Sequence, residues 1–272
     1  MTLVRIEGSG LVAELVLDRP EKLNAFSAEL FADFAAALDT VTRDRDVSVI
    51  IVRGEGRAFS VGWDLGPSAE PQESVGRQGA YEDWMRLRRD LGVFTSVFDC
   101  PKPVVASVHG YCMGGATVLA VSSDLTVVGD ETRIGWPVLP LGGGMLGPVS
   151  MWLIGPKKAK ELSYIAGSHI TGPEAAAQGW ANYSVPEDQV LSKARSLAAD
   201  IAKTPSDMLL IKKLAANRVL AMQGFREAIQ YGAEWDALVH TAPGNVEMSR
   251  KVRDVGLREA IRWFDEGRSD QS

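Results

Sequence analysis

Cysteine is scarce in this chain: its 272 residues include only Cys100 and Cys112. The two flank an apolar, strand-like run, which suits neither a disulfide framework nor a zinc ligand set, and both are expected to be reduced, buried thiols. Histidine is almost as rare. His109, His169 and His240 are so far apart that a metal cage would have to be assembled from distant pieces, and no metal is expected. Long apolar runs are also lacking. The most apolar stretch, residues 104–121, is broken by Ser107, His109 and three glycines, and the opening MTLVRIEGSG has no basic segment leading into an apolar core. The expectation is a cytoplasmic protein with neither an export signal nor a membrane span. Positive charge is in deficit as well. Lys and Arg number 29 against 35 Asp and Glu, for a formal charge of −6, the opposite of what a nucleic acid or an anionic membrane surface selects. Neither partner is expected, although local basic residues could still meet an anionic small molecule. A phosphate-binding P-loop and a glycine-flanked serine nucleophile are absent too, which removes support for kinase, ATPase and serine-hydrolase chemistry.

What is present is ordinary globular material, 46% hydrophobic and 24% charged, in a chain long enough to bury a sizeable core. Residues 3–6 and 11–17 read as two strands of a hairpin across Glu7-Gly8-Ser9-Gly10. Residues 27–45 carry Leu30, Phe31, Phe34, Leu38 and Val41 on one helical face, with Ser27 as the cap. Residues 47–52, 104–108 and 125–128 read as buried strands, separated by helices over about 78–98 and 114–122. This alternation predicts crossover units of the α/β class. Beyond Gly147 the pattern turns helical, at 157–166, 173–178, 187–203, 206–222, 225–239 and 257–266, with a polar segment containing proline and glycine over 240–255. The division predicted is an α/β core over 1–200 and a helical region over 201–272. Two matches to a dinucleotide-type glycine pattern, at residues 8–13 and 142–147, are read as turn chemistry: the first leads into a strand, and Pro137 and Pro140 precede the second.

Two glycine loops follow buried strands: Arg57-Ala58-Phe59-Ser60-Val61-Gly62-Trp63-Asp64-Leu65 and His109-Gly110-Tyr111-Cys112-Met113-Gly114-Gly115-Ala116. Glycine there lets backbone pass close to a neighbour. If the loops converge, Gly115 lies at a helix N-terminus whose N–H groups point outward, a geometry that suits an oxyanion.

These loops, together with Leu17-Asp18-Arg19-Pro20-Glu21-Lys22-Leu23-Asn24-Ala25, Ser123-Asp124-Leu125, Ile134-Gly135-Trp136-Pro137 and residues 172–182, resemble the crotonase, or enoyl-CoA hydratase/isomerase, family in order over roughly the first 200 residues. The resemblance implies a spiral ββα core, a homotrimer or dimer of trimers, and an acyl-CoA thioester as ligand, with coenzyme A arriving as part of the substrate and no separate cofactor. Carried over, it makes the backbone N–H groups of Trp63 and Gly115 an oxyanion hole for the thioester carbonyl. It also places Ala25, Ala58, Asp64, Leu65, Met113, Gly114, Val118, Pro137 and Val138 at the ligand site and Lys22 near the coenzyme A phosphates or ribose. Asp64 has a structural reading as well, as a cap on the segment that follows it.

The family's hydratases use two glutamates, three residues after the Gly115 position and twenty further on. Here Val118 and Val138 stand there, and valine can neither transfer a proton nor orient water. An efficient two-glutamate hydratase is therefore not expected. What is expected is an enzyme with lyase, isomerase or hydrolase chemistry through another acid or base, or alternatively an acyl-CoA-binding protein without chemistry. Tyr81, Asp83, His109, Tyr111 and Thr117 are candidate substitutes. Each has a structural alternative: a helix edge for Tyr81 and Asp83, a helix interior for Thr117, and packing beneath the turn for His109 and Tyr111. Trp63 and Trp136 are expected to border the acyl pocket. Apolar residues of the helical half, Leu209, Ile211, Leu214, Val219 and Leu220, are read as packing against neighbouring subunits.

Overall fold

The computed structural model describes residues 2–65, 79–142 and 146–267. Strands β1 (Val4–Ser9) and β2 (Val12–Leu17) form the antiparallel hairpin, with Gly8 and Gly10 at positive φ in the turn. The glycine pattern at 8–13 is thus turn chemistry, while part of the pattern at 142–147 lies outside the described residues. Helix α1 (Ala28–Arg43) buries the expected face, and the Ser27 hydroxyl accepts the Leu30 N–H at 3.3 Å. Strand β3 (Val49–Gly54), helix α2 (Ala80–Asp99) and strand β4 (Val104–Val108) follow. After them come a short β5 (Tyr111–Met113), helix α3 (Gly115–Ser122), β6 (Leu125–Gly129) and β7 (Arg133–Gly135).

One sheet takes the order β1-β2-β3-β4-β6-β9, with β9 at Tyr183–Val185, and every pairing after the hairpin is parallel. Both faces are covered, which is why its strands read as near-continuous apolar runs. Ile50, Val52, Ala106 and Val108 face the main core with α1, α2 and α3. Val49, Ile51, Val105 and Val127 face a second cluster with α6 (Val190–Ile201). A second, three-stranded sheet, β5-β7-β8 with β8 at His169–Ile170, was not visible in the sequence. Its strands are two or three residues long, too short to display a period.

The helical part differs from expectation in two places. Helix α4 runs over Leu146–Tyr164 rather than starting near 157, with non-helical backbone at Gly155 ahead of Pro156. After α5 (Gly172–Gln178), α7 (Ser206–Met222) and α8 (Phe225–Thr241), the supposed polar segment is itself helix α9 (Pro243–Val255). Pro243 starts this helix, where its missing N–H costs nothing, and the apolar stripe is thin because Asn245 shares it with Met248 and Val252. With α10 (Leu257–Asp265) it packs Met248, Val252, Ala260 and Trp263 on Leu139 and Leu141. Among the described residues no helix is long and apolar enough to cross a membrane. Both cysteines are buried thiols.

Candidate functional site

The site begins with a strained turn. Leu23 and Asn24 hold φ of 50° and 55°, an uncommon conformation for residues other than glycine and one that asparagine tolerates best. Asn24 is fully buried. Its Nδ2 donates to the carbonyls of Glu55 and Ala58 at 2.9 and 2.8 Å, and its Oδ1 accepts the Arg19 N–H at 2.9 Å. The segment 17–25 therefore props the first glycine loop from below. Arg19 adds an ion pair to Asp64 at 2.7 Å and a hydrogen bond to the Ala25 carbonyl. The role observed for Asp64 is this ion pair; the segment it was expected to cap begins at residue 66, outside the described residues.

The two loops then zip together as a short parallel ladder. Phe59 N–H donates to His109 O, Ser60 N–H to Tyr111 O and Met113 N–H to Ser60 O, at 2.9 to 3.1 Å. Gly62, at φ of 85°, makes the approach possible: a Cβ there would lie 2.8 Å from Met113 O and 3.0 Å from Gly115 N. On its other side, Phe26 N–H donates to Gly62 O and Asp64 N–H to Phe26 O. In such a parallel bridge the intervening residue, Trp63, turns its own N–H away from the partner strand. Among the described residues neither the Trp63 nor the Gly115 N–H has an acceptor. Two such donors, one at the start of α3, have the chemistry to hydrogen-bond a negative oxygen.

A cavity of about 170 Å³ opens beside these donors, lined by Trp63, Gly114 and Gly115, by apolar residues such as Phe26, Leu87, Trp136 and Leu141, and by polar groups of α2, α8 and α9. The Trp63 ring lies over Gly115, where a Cβ would overlap its six-membered ring. It packs edge-on to Phe94 at 5.5 Å, and its Nε1 donates to Asp90 Oδ2 at 3.3 Å. Asp90 begins a relay of charges. Arg86 bridges Asp90 Oδ2 (3.4 Å) and Asp83 Oδ1 (2.6 Å), and Asp83 Oδ2 meets His240 Nδ1 at 2.6 Å. Burial pushes the Asp90 carboxyl up, only partly offset by Trp63, Arg86 and Arg89. Burial acts the same way on Asp83, but the His240 and Arg86 contacts outweigh it and hold that carboxyl below the ordinary range. His240 is raised: burial lowers it, yet the Asp83 hydrogen bond and the Asp236 and Asp83 charges prevail.

Of the residues singled out from sequence, Trp63, Asp64, Leu65, Gly114, Gly115 and Pro137 line this cavity, as does Trp136. Ala25, Ala58 and Val118 are buried outside its wall, Val118 within the main core. Met113 and Val138 are half-buried and Lys22 is exposed, also outside it. Among the candidate acids and bases, Tyr81 is exposed whereas Asp83 is buried, not on a helix edge. The Thr117 hydroxyl is occupied by Gly114 O at 2.6 Å. Tyr111 is exposed rather than packed beneath the turn, whereas His109 is half-buried with Nε2 2.9 Å from Gly56 O. Arg86, Asp90, Asp236 and His240 were missed. Their signal was present: Asp83 and Asp90 share the buried stripe of α2 with Leu87, Leu91 and Phe94, and Asp236 shares that of α8 with Ile229, Ala233 and Ala237. A charged residue on an apolar stripe marks a place where something must meet it.

Residues 7–268 match the profile of the enoyl-CoA hydratase/isomerase family. A relative from Thermus thermophilus carrying an enoyl-CoA hydratase name is 32% identical over 98% of both chains. Two crystal structures named for enoyl-CoA hydratase/isomerase superpose closely. That from Novosphingobium aromaticivorans has a TM-score of 0.89 at 35% identity, covering 96% of this chain and 94% of the other. That from Xanthobacter autotrophicus has 0.88 at 32%, covering 97% of each. The superpositions span the α/β core and the helical C-terminal part together, so the crotonase-type architecture expected from sequence is the one adopted.

Proposed function

The chain belongs to the enoyl-CoA hydratase/isomerase family, an enzyme family, and on that premise we propose that it binds an acyl-CoA thioester and stabilises the enolate formed from it. The observation that carries this reading is the pair of N–H donors on Trp63 and Gly115, which have no acceptor among the described residues and border the cavity. A thioester oxygen seated between them gains charge as the enolate forms, and fixed donors in a water-poor site stabilise that charge more than they stabilise the neutral carbonyl. Coenzyme A enters as part of the substrate. Efficient hydration by two glutamates is not part of the proposal, because Val118 and Val138 occupy those positions. Isomerase, hydrolase or other lyase chemistry fits instead. In this reading residues 1–200 are the catalytic core and 201–272 the region for assembly and for covering the ligand. A trimer or dimer of trimers is proposed with it, since α7 leaves Ile211, Leu214, Val219 and Leu220 exposed on one element while Leu209 is buried within the chain.

Calorimetric titration with several acyl-CoA esters, compared with free coenzyme A, tests the binding. A thioester panel read by mass spectrometry tests the chemistry. Absence of thioester binding at millimolar concentration overturns the proposal. Saturable binding with no product from any panel member describes a binding protein instead. Sedimentation at micromolar concentration tests assembly, and a single monomeric species would count against it.

A further inference from the structure

We propose that His240, held by Asp83, is the residue that exchanges a proton with the acyl group in this cavity, supplying the acid-base function that valine at 118 and 138 cannot. The inference rests on the thioester reading above and names the group that would act on the substrate.

The geometry is that of an oriented imidazole. His240 lies in the last turn of α8, its side chain largely buried, and it forms part of the cavity wall that also holds Trp63 and Gly115. Its Nδ1 is 2.6 Å from Asp83 Oδ2, which fixes Nδ1 as the protonated nitrogen of the neutral ring and leaves Nε2 as the basic one. Nε2 has no hydrogen-bond partner among the described residues. Asp83 is fixed in turn by Arg86, which also holds Asp90, and Asp90 receives the Trp63 indole. A continuous chain of polar contacts therefore links the proposed base to the residue that supplies one N–H of the oxyanion site. A base within reach of a substrate, backed by a carboxylate that fixes its tautomer, is the arrangement needed for proton transfer.

The step balances without any further reactant. Nε2 takes a proton from the carbon next to the thioester carbonyl. The C–H electron pair becomes the carbon-carbon double bond of the enolate, and the carbonyl pair moves to oxygen, facing the Trp63 and Gly115 N–H groups. The imidazolium, stabilised by Asp83, returns the proton to the same carbon or, in an unsaturated chain, to the carbon two further along. The charged groups around His240 are Asp83 and Arg86 from α2 and Asp236 from α8. Asn245 and Ser249, from α9, line the same cavity without charge.

Butyryl-CoA in deuterium oxide is the probe, with deuterium at its second carbon read by mass spectrometry. The expected result is incorporation catalysed by the native protein, falling about 100-fold or more in His240→Gln while thioester affinity stays within a few-fold. Asp83 is a positioning residue. Asp83→Asn is expected to lower the imidazole affinity for protons, so the acid limb of the exchange profile moves to lower pH, which loss of structure alone would not produce. That variant also keeps the proposal testable if His240→Gln does not fold. Exchange in His240→Gln at the native rate overturns the proposal, as does an unmoved acid limb in Asp83→Asn. Native protein that binds butyryl-CoA without exchanging it also overturns the proposal and leaves the thioester reading standing. Failure to bind any thioester overturns the reading itself and the proposal with it.

Discussion

The indole nitrogen of Trp63 donates to the Asp90 carboxylate at 3.3 Å while the indole ring covers Gly115, so a buried acid on α2 sets the side chain of a residue that lines the cavity. Asp90→Ala leaves that nitrogen without an acceptor and takes a partner from Arg86 and Arg89. A loss of about 1–3 kcal/mol in denaturant unfolding is expected, with a larger rise in KM for thioester than fall in kcat. Asp90→Asn keeps an acceptor for the indole and should recover most of the stability. Equal losses in the two variants would show that the indole bond is not what the carboxylate secures.

Glycine at 62 and 115 is required for different reasons. Alanine at 62 is strained by positive φ and meets Met113 O, and alanine at 115 collides with the Trp63 ring. Each should lower turnover by about 10²- to 10³-fold, the usual effect of losing one oxyanion donor, by moving the donors apart. Gly92 provides the control. Nothing lies within 4 Å of an added methyl there, and it sits in the middle of α2. Gly92→Ala should leave turnover unchanged and stabilise the fold by about 0.5–1 kcal/mol.

Val118→Glu combined with Val138→Glu should raise hydration of crotonyl-CoA, followed by loss of the enoyl absorbance. It should also lower the thermal midpoint, because Val118 is fully buried in the main core and a carboxylate there has no water to solvate it. Unchanged hydration with thioester binding retained would show that the missing glutamates are not all that separates this scaffold from a hydratase.

The Asp83–His240 pair predicts a window of pH. His240 is raised above its ordinary value of 6.5, so its contribution to stability is complete below 6.5 and is lost as pH rises through the folded value. Asp83 is lowered from 3.8, so its contribution is complete above 3.8 and is lost as pH falls through the folded value. The stability difference between the native protein and His240→Gln should therefore be largest between 3.8 and 6.5 and shrink on both sides. Thermal melts across that range check it, and a difference that grows as pH rises above the folded value of His240 would contradict the pairing.

Glu14, buried in β2, ties the sheet to α6. Burial pushes its carboxyl up, but Arg195 at 2.5 Å and Arg53 at 2.8 Å outweigh that and hold it low. Glu14→Ala leaves the largely buried Arg53 with Glu7 and Glu55 as its remaining partners, and a loss of about 1–3 kcal/mol is expected by chemical denaturation. Arg195→Ala, which removes only the more exposed partner, should cost much less.

The order of the main elements was legible in the sequence because each carries enough residues to show its period: the α1 stripe from Leu30 to Val41, the apolar runs of β3 and β4, the glycines of the hairpin. So were the two glycine loops, since glycine at 62, 114 and 115 records a demand of the backbone itself. Length and spacing hid β5, β7 and β8, and a sparse stripe behind a favourable proline hid α9. What the sequence could not determine is which polar side chains share the cavity. Asp83 and His240 stand 157 residues apart, and only the packing of α8 against α2 brings them to 2.6 Å. Local pattern records what a residue's neighbours along the chain require of it. The chain of polar contacts from Trp63 through Asp90, Arg86 and Asp83 to His240 depends on the relative placement of a loop and two helices, which is set by the burial of their apolar faces and not by any single segment.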